Sequence, residues 1–249
     1  MAYNKVFLMG TIYDEPEFTI DSERGDVLHI KIQINRKDIG KTEIVTVAIF
    51  NDDLMSKALN EMSVGDCIVI TNARLITTNY TKVTPIICPE CQNIEYKQTK
   101  AEKTEIEVFN YQLMKGVNPE DVIGINKVHL LGSVCSKLNY RPGANNGKDY
   151  VKYKLAVNRP GKQKLDKKTD FPFVVSFNKE ATNAHEYLKT NTSLFIDGAI
   201  QEREIIQKKQ FHCSNCGIDT VSKSKSYVRE VITARVEYLN IEKPEEDED

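Results

Sequence analysis

Residues 4–10, Asn4-Lys5-Val6-Phe7-Leu8-Met9-Gly10, return at 126–132 as Asn126-Lys127-Val128-His129-Leu130-Leu131-Gly132. Each heptapeptide alternates apolar with other residues and stops on glycine, the pattern of a strand buried on one face that bends at its end. An internal repeat therefore organises the chain. Working outward, residues 28–36 (LHIKIQINR) match 151–159 (VKYKLAVNR), and both end on Asn-Arg. Residues 45–51 (VTVAIFN) resemble 173–178 (FVVSFN), and a short helical stretch follows each, with Leu59 or Leu188 facing inward. Residues 65–71 answer 191–197, and the Cys88-Pro89-Glu90-Cys91 pair answers Cys213-Ser214-Asn215-Cys216. A last strand follows each cysteine pair, over 105–114 and 229–241.

Each copy thus reads strand, strand, strand, short helix, strand, hairpin with a C-x-x-C tip, strand. Five short strands with one helix after the third is the order of the OB-fold, a partly open Greek-key barrel. The expected class is all-β with short helices, as two tandem five-stranded OB-fold barrels that each carry an extended hairpin with a C-x-x-C tip. An unrelated all-β sandwich is the alternative. The first domain is expected over 1–114 and the second over 125–241. Residues 115–124, with Gly, Pro and acids, read as a linker.

A chain of 249 residues accommodates two ordinary domains, and 40% hydrophobic with 28% charged residues is the balance of a protein that folds in water. No apolar run approaches the ~20 residues that span a bilayer, and Lys5 and Gly10 interrupt the start, so no membrane partner and a cytoplasmic location are expected. The formal charge of -2 is unevenly spread: residues 242–249 (EKPEEDED) carry -5, which leaves a body of +3. That tail has no apolar residue and is expected to be disordered. The four histidines are isolated, and there is no Gly-rich phosphate loop, so no enzyme is expected.

The opening Asn4–Gly10, continued by Asp14-Glu15-Pro16-Glu17, resembles the bacterial and phage single-stranded DNA-binding protein family, as do the strand over 45–50, the helix ending near Leu59 and Val64-Gly65-Asp66. The match covers about 75 residues of the first copy, while the second retains the opening strand, Asn158-Arg159 and the strand end at Phe177. The resemblance implies single-strand binding by stacking bases on tryptophans and one phenylalanine. This chain contains no Trp; Phe50 and Phe177 fall at the phenylalanine position, Phe171 at a tryptophan position, and Ile44 replaces it in the first copy. The family commonly presents four barrels, so a homodimer is implied. Its acidic tip ends on Pro-Phe, whereas Glu245–Asp249 keeps the acids alone, as a place for replication or recombination proteins to dock.

OB-folds bind single strands along a basic groove with aromatic stacking. In the second copy the candidates are Tyr153, Arg159, Lys162, Lys164, Lys167, Lys168, Phe171 and Phe177, around a Gly/Pro loop with five bases and one acid. The first offers Lys31, Arg36, Lys37, Lys41, Phe50, Arg74, Tyr80 and Lys82, with Phe50 divided between core and stacking. The expected function is sequence-tolerant binding of single-stranded DNA in replication, recombination or plasmid or phage transfer. The alternatives are an accessory subunit whose barrels hold protein partners, or an RNA binder. Cys88, Cys91, Cys213 and Cys216 have zinc-ligand spacing, and each pair is half a site. Packing of the two tips would build one four-cysteine structural zinc site per chain; a redox pair, free thiols or sites shared between chains are the other readings.

Overall fold

The computed structural model describes residues 3–20, 25–37, 39–145, 147–159 and 168–239. Lys162, Lys164, Lys167 and the acidic tail lie outside them. The first copy comprises β1 (Tyr3–Ile12), β2 (Glu17–Thr19), β3 (Val27–Arg36), β4 (Lys41–Ile49), α1 (Asp52–Glu61), β5 (Cys67–Ile87) and β6 (Ile94–Met114). The second comprises β7 (Ile125–Val134), β8 (Asn139–Asn145), β9 (Lys148–Asn158), β10 (Thr169–Asp170), β11 (Phe173–Phe177), α2 (Asn178–Tyr187), β12 (Ser193–His212) and β13 (Asp219–Tyr238). In the first copy β1 pairs with β5, β5 with β6, β6 with β4 in parallel, and β4 with β3, while β1 also reaches β3 and closes the barrel. The second copy repeats this circuit as β7, β12, β13, β11, β9. Strands of period two place Val6, Leu8, Ile30, Ile32, Val45 and Val47 inside one barrel and Val128, Leu130, Val151, Leu155, Val174 and Ile196 inside the other.

The glycines that end the repeated heptapeptide mark the closure. A Cβ on Gly10 would lie 2.3 Å from the Gln33 carbonyl oxygen, and one on Gly132 2.4 Å from that of Ala156. Only glycine lets the first strand cross the second this closely.

Strand β1 also pairs antiparallel with β7, and Val6 stands opposite Val128. These two are equivalent in the repeat, so the barrels are related by a pseudo-two-fold axis through that pair and share one continuous sheet. The segment over 115–124 packs against the first barrel: Gly124 donates its N–H to the Asn35 carbonyl, and Val122 is buried.

Two details differ from the sequence reading. Leu59 is exposed, because Met55, Ala58 and Met62 form the inward stripe of α1 and its end, and Leu59 is one residue further round. The hairpin strands run to 20 and 21 residues, well beyond the barrels. Their outer stretches have no core to alternate toward, so the polar residues 95–104 gave no period-two signal.

Candidate nucleic-acid interface and cysteine cluster

The outward face of β9 carries Tyr150, Lys152 and Lys154, and its inward face Val151, Tyr153 and Leu155. Tyr153 is 1% exposed and packs in the core opposite Val174, which corrects its expected place on the binding surface. Tyr150 is the outward aromatic. It stands opposite Phe177 of the neighbouring β11, with ring centroids 5.7 Å apart.

This pair lines a groove of about 1170 Å³ where the barrels meet. Arg36 and Lys41 of the first copy and Lys127, Arg141, Lys148 and Arg203 of the second surround it, against Glu43, Asp197 and Glu230. Bases and aromatics on one concave surface suit a polyanion whose flat bases need a stacking partner. Buried Glu230 accepts from Lys152 at 2.6 Å and from Arg203 at 3.2 Å. Burial drives its carboxyl upward, but the two cations outweigh burial and hold it below the ordinary glutamate range.

A second groove, of about 1410 Å³, opens between the two hairpins and takes in Lys31, Tyr80 and Lys82. Arg203 borders both grooves. Lys152 and Lys154 stand over the ring of Phe173, 4.0 and 4.8 Å from its centroid. Among the expected residues, Arg36, Lys41 and Phe177 thus meet in the first groove and Lys31, Tyr80 and Lys82 in the second.

The others lie apart from both grooves. Lys37 donates to the Glu120 carbonyl at 2.8 Å. Phe50 is half-buried just after β4. Arg74 pairs with Glu107 at 2.7 Å beneath Phe109. Arg159 grips buried Asp170 at 2.7 and 2.5 Å. Phe171 and Lys168 are exposed beside it. Arg159 and Lys168 occupy in the second copy the place of Arg36 and Lys41 in the first, since each couple faces across the end of the second strand. Sequence reasoning missed Tyr150, Lys127, Arg141, Lys148 and Arg203. For Tyr150 the signal was present, because the alternation that buries Val151 and Tyr153 turns Tyr150 outward.

Cys88 and Cys213 close the ends of β5 and β12, and both turns fold alike. Gln92 and Gly217 donate their N–H to the carbonyls of Cys88 and Cys213, each with positive φ, of 58° and 74°. The turns meet across the pseudo-axis. Cys88 Sγ lies 3.5 Å from Cys216 Sγ and Cys91 Sγ 3.6 Å from Cys213 Sγ, and all four sulfurs fall within 4.8 Å of one another. A tetrahedral zinc with Zn–S near 2.3 Å separates its sulfurs by about 3.8 Å, so the four fit such an ion. Ionisation among the touching sulfurs is uneven. The Asn215 side chain and the Asn93 backbone bring Cys91 down to about 6. For Cys216 the Ile218 backbone acts downward, but burial and the neighbouring sulfurs push it up to about 12. Beside the cluster, Glu95 accepts from the Ser214 N–H at 2.9 Å and its hydroxyl at 2.6 Å, a second bond between the tips. Cys67 and Cys135 stand apart from it.

The family model described as "Single-strand binding protein family" matches residues 125–239. A single-stranded DNA-binding protein of Halalkalibacterium halodurans is 30% identical over 118 residues, covering 46% of this chain and 61% of that protein. The chain therefore spans less than two thirds of that relative. The wild-type single-stranded DNA binding protein of Thermus aquaticus superimposes with a TM-score of 0.65 at 16% identity, over 98% of this chain and 96% of that one. A deletion mutant of the same Thermus protein gives 0.63 at 16% identity, over 99% and 98%. At that identity the likeness concerns the fold, and it extends over both copies. The likeness to the single-strand binding protein family thus falls on the second barrel, at residues 125–239.

Proposed function

We propose that the chain binds single-stranded DNA with little sequence preference and performs no catalysis, acting in replication, recombination or DNA transfer. The observation that carries this reading is the first groove, where the Tyr150–Phe177 pair lies among six basic residues drawn from both copies. Affinity for oligo-dT is expected to fall with salt by about 0.7 logarithmic units per logarithmic unit of salt for each phosphate neutralised. Tight binding to duplex with none to single strands overturns the reading. Among the described residues no helix is long and apolar enough to cross a membrane; a cytoplasmic location belongs to the same proposal, as does docking of replication or recombination proteins on the tail.

The four cysteines belong to this reading as one structural zinc site per chain, holding the hairpin tips together. Metal analysis is expected to find one zinc, lost alike in Cys88→Ser and Cys213→Ser, with a fall in melting temperature on chelation. Metal-free protein whose melting ignores chelator overturns the site. A homodimer completes the proposal. Tyr3, Leu131 and Phe195, side by side on the outer sheet face, are the apolar row it would cover. Light scattering that finds only monomer at micromolar concentration rejects the dimer.

A further inference from the structure

The cleft between the hairpins, unlike the first groove, is walled by the two long ribbons beyond the barrels. Its walls come from different copies: Tyr80, Lys82 and Lys100 from the β5–β6 hairpin, and Lys208, Lys225 and Tyr227 from the β12–β13 hairpin. Most of its acids are already taken up, Glu102 by Lys154, Glu105 by Lys103, Glu202 by Arg229 and Glu204 by Lys225 and the Tyr227 hydroxyl, while Glu15 and Glu17 stand at its far rim. Further out the lysines predominate, and Tyr227 is 68% exposed, with no core at that point of the hairpin for its ring to fill. At the barrel end Arg203 borders both grooves; it shares Glu230 with Lys152 and keeps about half of its side chain exposed, so a chain of phosphates leaving the first still meets a cation at the entrance to the second.

The walls themselves need support. A two-stranded ribbon without a third strand is marginally stable in water. Lys82 stands six positions before Cys88 and Lys208 five before Cys213, so each wall projects on the order of 20 Å past the groove before it ends. At the root the ribbons are joined by Arg229, which donates to the Thr104 carbonyl at 2.5 Å. At the tips they are joined by the sulfur cluster and by Glu95 with Ser214. Released at the tips, the two walls hang from the root alone, and the spacing of their lysines is lost.

We infer that this cleft is a second single-strand site, continuous with the first through Arg203, and that metal held by the four cysteines keeps its walls at working distance. The inference rests on the single-strand and zinc readings above. In this arrangement the first groove binds whether or not metal is held, and the cleft contributes only when the tips are joined.

The test uses the full chain and fluorescently labelled oligo-dT, with affinity measured across a salt series. In the zinc-loaded protein, chelation is expected to lower affinity about tenfold and to make the salt slope shallower by about 2, the loss of three phosphate contacts at about 0.7 each. The Lys82→Ala, Lys100→Ala, Lys208→Ala triple variant removes exposed or half-exposed charges without touching the core, and is expected to flatten the slope by the same amount while zinc is held. Chelation of that variant then adds nothing further. Release of zinc with an unchanged slope overturns the proposal, as does a triple variant that keeps the full slope. Failure of the underlying readings looks different: purified chain without zinc overturns the metal part of the proposal with the zinc site, and no oligo-dT binding in any state overturns both.

Discussion

Asn4 and Asn126 each pin a neighbouring strand with a side chain. The Asn4 amide donates to the Leu75 carbonyl at 2.8 Å and accepts from its N–H at 2.9 Å, and Asn126 treats Ile200 in the same way at the same distances. Each replaces a rung of the backbone ladder beside an irregular step in register. Asn126→Leu leaves a buried donor and acceptor without partners and is expected to cost about 1–3 kcal/mol in urea unfolding. Glu230 makes a pH prediction. Its carboxyl sits below the ordinary range in the fold, so its contribution is fully present at neutral pH and is lost as pH falls through that lowered value. The melting-temperature gap between wild type and Glu230→Gln should therefore be widest near neutrality and close in acid. A gap that widens in acid refutes the assignment. Tyr150→Ala, which removes a stacking face on the surface of β9, should weaken oligo-dT binding by about 1–3 kcal/mol with little change in melting.

The two helices expose a division between stability and function. Asn51 caps α1 by accepting from the Leu54 N–H, whereas the cap position of α2 is Phe177, which makes no side-chain cap bond and faces the first groove. Asn51→Ala should therefore cost about 0.5–2 kcal/mol of stability. Phe177→Ala should register in oligonucleotide affinity instead. Much of the element order was legible in the sequence, because barrel strands alternate against a core and the repeat displays each pattern twice. The helix faces were less so: Leu59 looked inward only until the stripe through Met55 and Ala58 was in view. The groove face was legible in principle, since the alternation that buries Tyr153 exposes Tyr150, but choosing aromatics by nearness to a basic loop picked the buried one. Salt-bridged cations such as Arg159 could not be told from free ones, because Asp170 reaches it only when β9 and β10 are laid side by side.

At the scale of the whole molecule, β1 and β7 each cover the edge that the other would expose. A fragment holding only the second barrel should re-form that contact with a copy of itself, β7 on β7 about Val128, and sedimentation should find it dimeric where the full chain does not need this pairing. A monomeric fragment would count against the junction as a principal cohesive contact. The near-symmetry of that junction has one more consequence. A nucleic-acid strand runs from one chemically distinct end to the other, while a true two-fold axis makes both directions equivalent to a protein that lies across it. Here the equivalence is broken, for the place that Tyr150 holds in the second barrel is held by buried Val27 in the first. A tandem with unlike halves has a front and a back, and chains arrayed along one strand should all point the same way.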